Sequence, residues 1–281
     1  MTWQEEGRKL PYDLSKKVVH CGRDASAYVT NTPRGVRLHC FRCGENTFEV
    51  HKDRGYKDII EARRKTNKNM STYSNDWVNY TCLIDDAPKI AHAYLLRRNM
   101  PIEFAKAVGI IYNSEYHALL FPLMTRDNFE TGKLARFLDP ALKSKCKLIG
   151  SKPAFAYTLV SVNQRVLILT EDILSSYTIR RTRLYGVSCA AILGTSIGDR
   201  EVSHILNYTN EEDIIILWLD DDAAGHKGAR KIKKKLGPTG CTIMSIFSGR
   251  DPKYHSRKEI ESILYEVLGD VDVRPYTAAG S

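Results

Sequence analysis

Three aspartates in a row, Asp220, Asp221 and Asp222, follow six apolar residues that run unbroken from Ile214 to Leu219. The run is too short for a helix of its own and suits a strand buried on both faces, as in a parallel sheet. Side chains alternate along a strand, so Asp220 and Asp222 point one way and Asp221 the other. Two carboxylates side by side at a strand tip repel each other unless something cationic lies between them. A hard divalent ion such as Mg²⁺ or Mn²⁺ takes oxygen ligands and meets that need. Ala223, Ala224 and Gly225 are small enough to let a phosphate-bearing ligand approach, and a basic helix follows from His226 to Leu236. The plainer alternative is a solvated acidic turn. Position favours the ligand, since open α/β sheets bind at the carboxyl ends of their strands.

Two further strand tips carry acids. Arg165 to Thr170 (RVLILT) leads into Glu171 and Asp172, and Cys241 to Phe247 (CTIMSIF) leads into Gly249-Arg250-Asp251-Pro252. In a parallel sheet such tips lie on one rim, so Glu171, Asp220, Asp222 and Asp251 can converge.

A second constellation lies near the amino terminus. Cys40-x-x-Cys43-Gly44 is half of a zinc ribbon, two thiolates on a tight turn, and Cys21-Gly22 reads as the end of the other half. Val18 stands where a second CxxC would need cysteine. His20, His39 and His51 are the substitutes, and His20 is preferred, giving His20, Cys21, Cys40 and Cys43 as the expected Zn²⁺ ligands. Reduced cysteines packed in a small core are the alternative. Tyr28 to Thr30 and Val36 to Leu38 read as strands around a turn at 32–35.

These sites need elements to hold them. Residues 1–64 are expected to form the ribbon domain, with a short helix near 55–64. Lys65 to Asp76 is polar, the composition of a linker. Residues 77–160 read as an α+β subdomain. It has helices over Pro88 to Arg98 and Pro101 to Val108, then strands over 109–112, 117–123 and 133–138. The basic stretch from Lys143 to Lys147, with Lys152 beyond, either grips phosphates or is a solvated loop. Residues 161–252 alternate strand and helix: strands at 165–170, 187–193, 214–219 and 241–247, helices at 175–183, 199–208 and 223–236. Residues 253–281 read as a helix, 258–268, and a small polar tail.

Composition sets bounds. Lys and Arg number 42 against 33 Asp and Glu, a formal +9 that favours polyanionic partners. No stretch reaches the ~18 apolar residues of a membrane span, and the first residues lack the apolar core of a signal peptide. An intracellular, soluble protein is expected, and the seven cysteines suit a reducing compartment. The absence of GxxxxGK[ST] and HExxH excludes a P-loop motor and a zincin.

The series Glu171, Asp220-x-Asp222-x-x-Gly225 and Asp251-Pro252 resembles the Toprim domain of bacterial-type primases, topoisomerases and some nucleases. Upstream, AHAYLLRRNMPIEFAKAVGI, HALLFPLM and GKLARFLDP resemble the first half of a primase polymerase core, and a leading zinc ribbon fits the same family. The order of the blocks is similar to the primase part of bacteriophage primase-helicases. The sequence departs from that pattern at Asp172, where glycine is usual, and at Ser175 and Lys253, where some members have acids. The resemblance implies an α/β fold, with a mostly parallel Toprim sheet flanked by helices. An α+β primase subdomain and a small β zinc ribbon precede it.

The resemblance also implies RNA primer synthesis from NTPs on single-stranded DNA, in the cytoplasm of a bacterial cell, with a separate replicative helicase as partner. Asp220, Asp222 and Asp251 would hold one or two Mg²⁺ ions. Glu171 would complete the shell or act as base, and Lys133, Arg136 and Lys145 would contact phosphate. Arg37, Arg42, Tyr28 and Phe41 of the ribbon would read template bases. A Toprim nuclease and a non-catalytic DNA-binding replisome component are the competing readings.

Overall fold

The computed structural model describes residues 2–10, 15–31, 35–51, 77 and 80–269. The turn at 32–34, the helix at 55–64, the linker and the tail beyond residue 269 lie outside them. The chain divides into two compact units, one of residues 1–71, 197–211 and 235–240, the other of residues 72–196, 212–234 and 241–281.

In the first unit, helix α1 (Trp3–Arg8) opens on a Thr2/Glu5 capping box. Strands β1 (Ser15–Val18), β2 (Ala27–Asn31), β3 (Gly35–Cys40) and β4 (Asn46–Val50) form an antiparallel sheet in that order. Val18, Ala27, Val29, Val36, Leu38 and Cys40 make its small core, with Trp3 and Cys21 packed on it. The two expected strands are thus the centre of a four-stranded sheet.

The second unit holds a ten-stranded sheet. Its antiparallel part comprises β5 (Thr81–Leu83), β6 (Ile111–Asn113), β7 (Ala118–Met124), β8 (Glu130–Phe137), β9 (Cys146–Gly150) and β10 (Ala156–Leu159). Helices α2 (Lys89–Leu96) and α3 (Ile102–Ala107) lie between β5 and β6 in sequence, each with a proline at its N-cap. Lys143 to Lys145 of the basic stretch form a loop, and Cys146 and Lys147 begin β9. It pairs with β8, Arg136 opposite Cys146, and of its five residues only Ile149 is buried, so its pattern reads as polar. Phe121, Leu95, Met100 and Tyr177 anchor the core of this half.

The parallel part consists of β11 (Val166–Thr170), β12 (Val187–Ala191), β13 (Ile214–Trp218) and β14 (Thr242–Ser245). Helix α4 (Ile173–Arg180) connects β11 to β12. Helix α5 (Asp199–Tyr208) belongs to the first unit, and α6 (Ala223–Leu236) follows β13. Helix α7 (Arg257–Leu268) packs Ile260, Leu264 and Leu268 against Trp218 and Ile168. β11 is buried at every residue and has β12 on one side and β13 on the other. The chain therefore reverses its direction of progress across the sheet at β11. A crevice opens at the carboxyl ends of the strands at such a point.

Candidate active site

Thr170 pairs with Trp218, so the tips of β11 and β13 end level with each other. Glu171 follows the first and Asp220 lies two residues past the second. Beyond β14, the chain turns through Ser248 to Asp251, whose backbone starts the short 3₁₀ turn Pro252–Tyr254. That turn presents Lys253. The Lys253 ammonium lies 2.6 Å from Asp251, 2.8 Å from Asp172 and 3.7 Å from Asp220, with its side chain only 13% exposed. Asp172 in turn caps α4, accepting from the Ser175 N–H and hydroxyl, both at 3.0 Å. Position 172 caps better with aspartate than with glycine.

The carboxylates repel one another in a half-buried place. Burial, then Asp220, Asp172 and Asp222, push Glu171 up to about 7, against the pull of Lys253. Burial raises Asp220 to about 6, with Lys253 opposing and Asp172, Asp251 and Asp222 adding to the rise. For Lys253, burial favours the neutral amine, but Asp172, Asp251 and Asp220 outweigh it and hold its pKa above the ordinary value. Asp220 Oδ1 is buried and has no hydrogen-bond partner. An unpaired carboxylate oxygen among like charges fits a divalent cation, so the donor set suits Mg²⁺ or Mn²⁺.

Asp221 points elsewhere, as alternation requires. It binds His226 Nε2 at 2.6 Å and the Gly249 N–H at 2.7 Å. Asp222 caps α6, accepting from the Gly225 N–H at 2.7 Å. Gly225 is small for a local reason: a Cβ there would run into the Asp220 carbonyl. The expected opening for a phosphate is instead close contact within the chain.

A cavity of about 360 Å³ opens beside the acids. Glu171, Asp172, Asp220, Asp251 and Lys253 form one wall, and Tyr94, Arg98 and Arg136 stand elsewhere around it. The Arg98 guanidinium lies 3.6 Å from the centre of the Tyr94 ring. Arg136 donates to Cys146 Sγ at 3.2 Å, while its buried Nε has no partner. A guanidinium in the wall of such a cavity suits a phosphate. Of the three expected phosphate contacts, only Arg136 lines this space. Lys133 pairs with Glu130 at 2.7 Å, and Lys145 binds the Pro140 carbonyl at 2.7 Å in an exposed loop. Asp222 is not in the cavity wall, although its charge reaches Glu171 and Asp220. Sequence reasoning passed over Tyr94 and Arg98, whose i,i+4 spacing on one helical face was the available signal.

In the first unit, His20, Cys21, Cys40 and Cys43 place their ligand atoms within 4.8 Å of one another. Cys21 Sγ is 3.3 Å from Cys40 Sγ, and Cys43 Sγ is 3.7 Å from His20 Nδ1. A tetrahedral ion with bonds of about 2.3 Å sets its sulfur ligands about 3.8 Å apart, so the donors fit Zn²⁺. Burial opposes ionisation of Cys40, but the N–H groups of Cys43 and Arg42 outweigh it and hold the thiol down to about 5. His20 Nε2 lies 3.3 Å from Glu45, which leaves Nδ1 for the metal side. Gly22, at φ +127°, turns the chain directly after the adjacent ligands His20 and Cys21. His39 packs edge-on against Phe41, and His51 is within 3.0 Å of Asn31; neither joins the cluster. Of the expected base readers, Phe41 is exposed, Tyr28 donates its hydroxyl to Asp199, and Arg42 is tied to Asp24. Arg37 lies over the Phe48 ring, 5.8 Å from its centre.

Residues 170–254 match the Toprim-like family Toprim_2. Three solved structures share the arrangement of the chain. The Aquifex aeolicus primase, with its zinc-binding and RNA polymerase domains, superposes at a TM-score of 0.50 over 94% of this chain and 85% of that one, with 14% identity. The primase fragment of the bacteriophage T7 primase-helicase gives 0.51 over 89% and 96%, again with 14% identity. This is the primase fold. A DnaG primase catalytic domain bound to single-stranded DNA gives 0.53 over 75% of this chain and 84% of that one, with 15% identity. No curated protein sequence matches the chain. Within the primase fold the Toprim part carries Glu171, Asp220, Asp222 and Asp251, and the antiparallel part carries Arg98 and Arg136. Among the described residues no helix is long and apolar enough to cross a membrane.

Proposed function

We propose that the chain is a DNA primase that joins NTPs into short RNA primers on a single-stranded DNA template. One observation carries this reading. On a primase fold, the acidic tips of β11 and β13 and the Asp251 turn face a cavity that Arg98 and Arg136 also line. Glu171, Asp220, Asp222 and Asp251 would hold the divalent metal. When bound, Mg²⁺ supplies charge neutralisation on the triphosphate and a more acidic 3′-hydroxyl. Arg136 and Arg98 bind and orient the phosphates, since guanidinium forks match phosphate oxygens. In the joining step the 3′-oxygen bonds to the α-phosphorus, and the bond from that phosphorus to pyrophosphate breaks.

The ribbon would bind Zn²⁺ through His20, Cys21, Cys40 and Cys43 and meet the template, with exposed Phe41 available for stacking. A replicative helicase is the proposed protein partner, by analogy with the T7 primase-helicase. The domain plan proposed is ribbon 1–64, linker 65–76, subdomain 77–160, Toprim 161–252 and tail 253–281.

The test incubates the full chain with labelled NTPs, Mg²⁺ and circular single-stranded DNA. Labelled oligoribonucleotides that disappear in Asp220→Ala are the expected result. Shortened DNA without ribonucleotide products would mean a nuclease. Binding to DNA with no product, unchanged in Asp220→Ala, would mean a non-catalytic component.

A further inference from the structure

The Lys253 ammonium sits inside the acidic rim. Its three carboxylate partners come from three parts of the chain: Asp172 after β11, Asp220 after β13 and Asp251 beyond β14. Each partner also shows which of its oxygens are spent. Asp172 directs Oδ1 to the Ser175 N–H and Oδ2 to Lys253 and the Ser175 hydroxyl, so both are engaged. Asp251 directs Oδ2 to Lys253. Asp220 turns Oδ2 toward Lys253 and keeps Oδ1 buried and unpaired.

The acids therefore divide into two groups around Asp220. On one side an ammonium is hydrogen-bonded by Asp172 and Asp251 and ion-paired with Asp220. On the other, Asp220 Oδ1 is left without a partner, and Glu171 lines the same cavity. Two-metal transfer sites hold their ions about 3.5–4 Å apart, bridged by shared carboxylates. Here the bridging carboxylate, Asp220, already has a cation on one of its two oxygens. A second dication at that corner would have to displace an ammonium anchored by three acids, and would stand against its charge.

We propose that Lys253 permanently takes the place of one divalent cation, so that the site loads a single metal ion on the Asp220 and Glu171 side of the rim, with Asp172 present to seat the lysine. This rests on the primase reading of the rim and narrows it: Asp251 serves the lysine more than the metal. Lys253 is supported for the task. Pro252 is buried, the 3₁₀ turn fixes the backbone, and Ser248 links the turn to β13 through Trp218 and to His255.

Metal counting tests it directly, without turnover. Mn²⁺ is titrated by calorimetry and EPR into the zinc-loaded full chain; a carboxylate site takes Mn²⁺, whereas the thiolate site keeps the softer Zn²⁺. One Mn²⁺ per chain with an uncoupled spectrum is expected in the wild type. In Lys253→Asp the count should rise to two, with spin coupling between neighbouring ions. Lys253→Met, which keeps the length but removes the charge, should gain a weak second ion. Two coupled ions in the wild type would overturn the inference and leave primer synthesis intact as a reading. So would a count that stays at one in both folded variants. No Mn²⁺ bound at all, together with no oligoribonucleotide product, would remove the primase reading itself. Should the variants fail to fold, the wild-type count alone still decides.

Discussion

Trp218, the last residue of β13, donates its indole N–H to the Ser248 hydroxyl at 3.1 Å. The same hydroxyl lies 2.9 Å from His255 Nε2 and 3.0 Å from the Arg250 carbonyl. One small side chain thus ties the strand bearing Asp220 to the turn bearing Asp251 and Lys253. Ser248→Ala leaves a buried indole donor unpaired, which costs about 1–3 kcal/mol of stability by urea unfolding. Support of this kind also orients metal-binding carboxylates, so Mn²⁺ affinity should fall about tenfold or more. A variant with unchanged affinity would show that the turn holds its place without the hydroxyl.

The raised carboxyl groups make stability depend on pH in a definite sense. Glu171 moves from 4.5 to about 7 and Asp220 from 3.8 to about 6. A group whose pKa is higher in the folded state binds protons more readily there. Its contribution is therefore complete at acid pH and is lost as pH rises through the folded value. Metal-free protein should lose melting temperature between about pH 4 and pH 7 from these two groups, and Mn²⁺ should restore it more at pH 8 than at pH 5.5. Thermal melts at the two pH values, with and without metal, check this. A metal-induced rise that is larger at pH 5.5 would contradict it.

Glu171→Gln separates stability from function. The amide keeps the shape and removes a charge that burial and three aspartates oppose. At pH 8 the metal-free variant should melt several degrees above the wild type, while Mn²⁺ affinity and primer synthesis both fall. A lower melting temperature would mean that the carboxylate makes stabilising contacts beyond electrostatics.

Much of this was legible in the chain because the parallel strands are continuous apolar runs with an abrupt acidic end. Residues 199–208 and 223–236 form helices over the spans that periodicity gives. The edges were harder. β9 exposes four of its five residues wholly or in part, and β5 has none fully buried, so neither shows an alternating pattern. The arginines of the cavity were hidden for another reason. Arg98 and Arg136 are separated by strands and helices in sequence, and only the packing of α2 with β7 and β8 in one core gives them a common space. Lys145 and Lys133 carry the same charge as Arg136, and charge alone does not say which side chain faces inward. Lys253 was visible as a departure at an acidic position, but its three partners were not.

Zinc should behave as a structural part of the first unit. Its core is six small side chains, and four metal donors lie beside it. Elemental analysis should give one Zn²⁺ per chain, lost in Cys40→Ser and weakened in His20→Ala. Because metal binding supplies folding free energy in such small domains, a strong chelator should expose the ribbon to protease while residues 80–196 of the second unit stay protected. Retention of zinc in Cys40→Ser would move the site elsewhere.

Arg136 offers the sharpest test of the cavity. Its Nη1 is held by Cys146, so the guanidinium is fixed in the cavity wall. If the guanidinium meets triphosphate, its loss removes a charge-assisted hydrogen bond of about 1.5–3 kcal/mol, roughly 10- to 150-fold in affinity. Arg136→Ala should therefore raise the KM for NTPs by that factor while leaving Mn²⁺ binding alone. Arg136→Lys should recover only part, since an ammonium lacks the fork. Lys145→Ala, whose side chain ends on the exposed Pro140 carbonyl, should change neither quantity. Equal effects at positions 136 and 145 would mean that the field of the basic surface, and not this cavity, gathers the nucleotide.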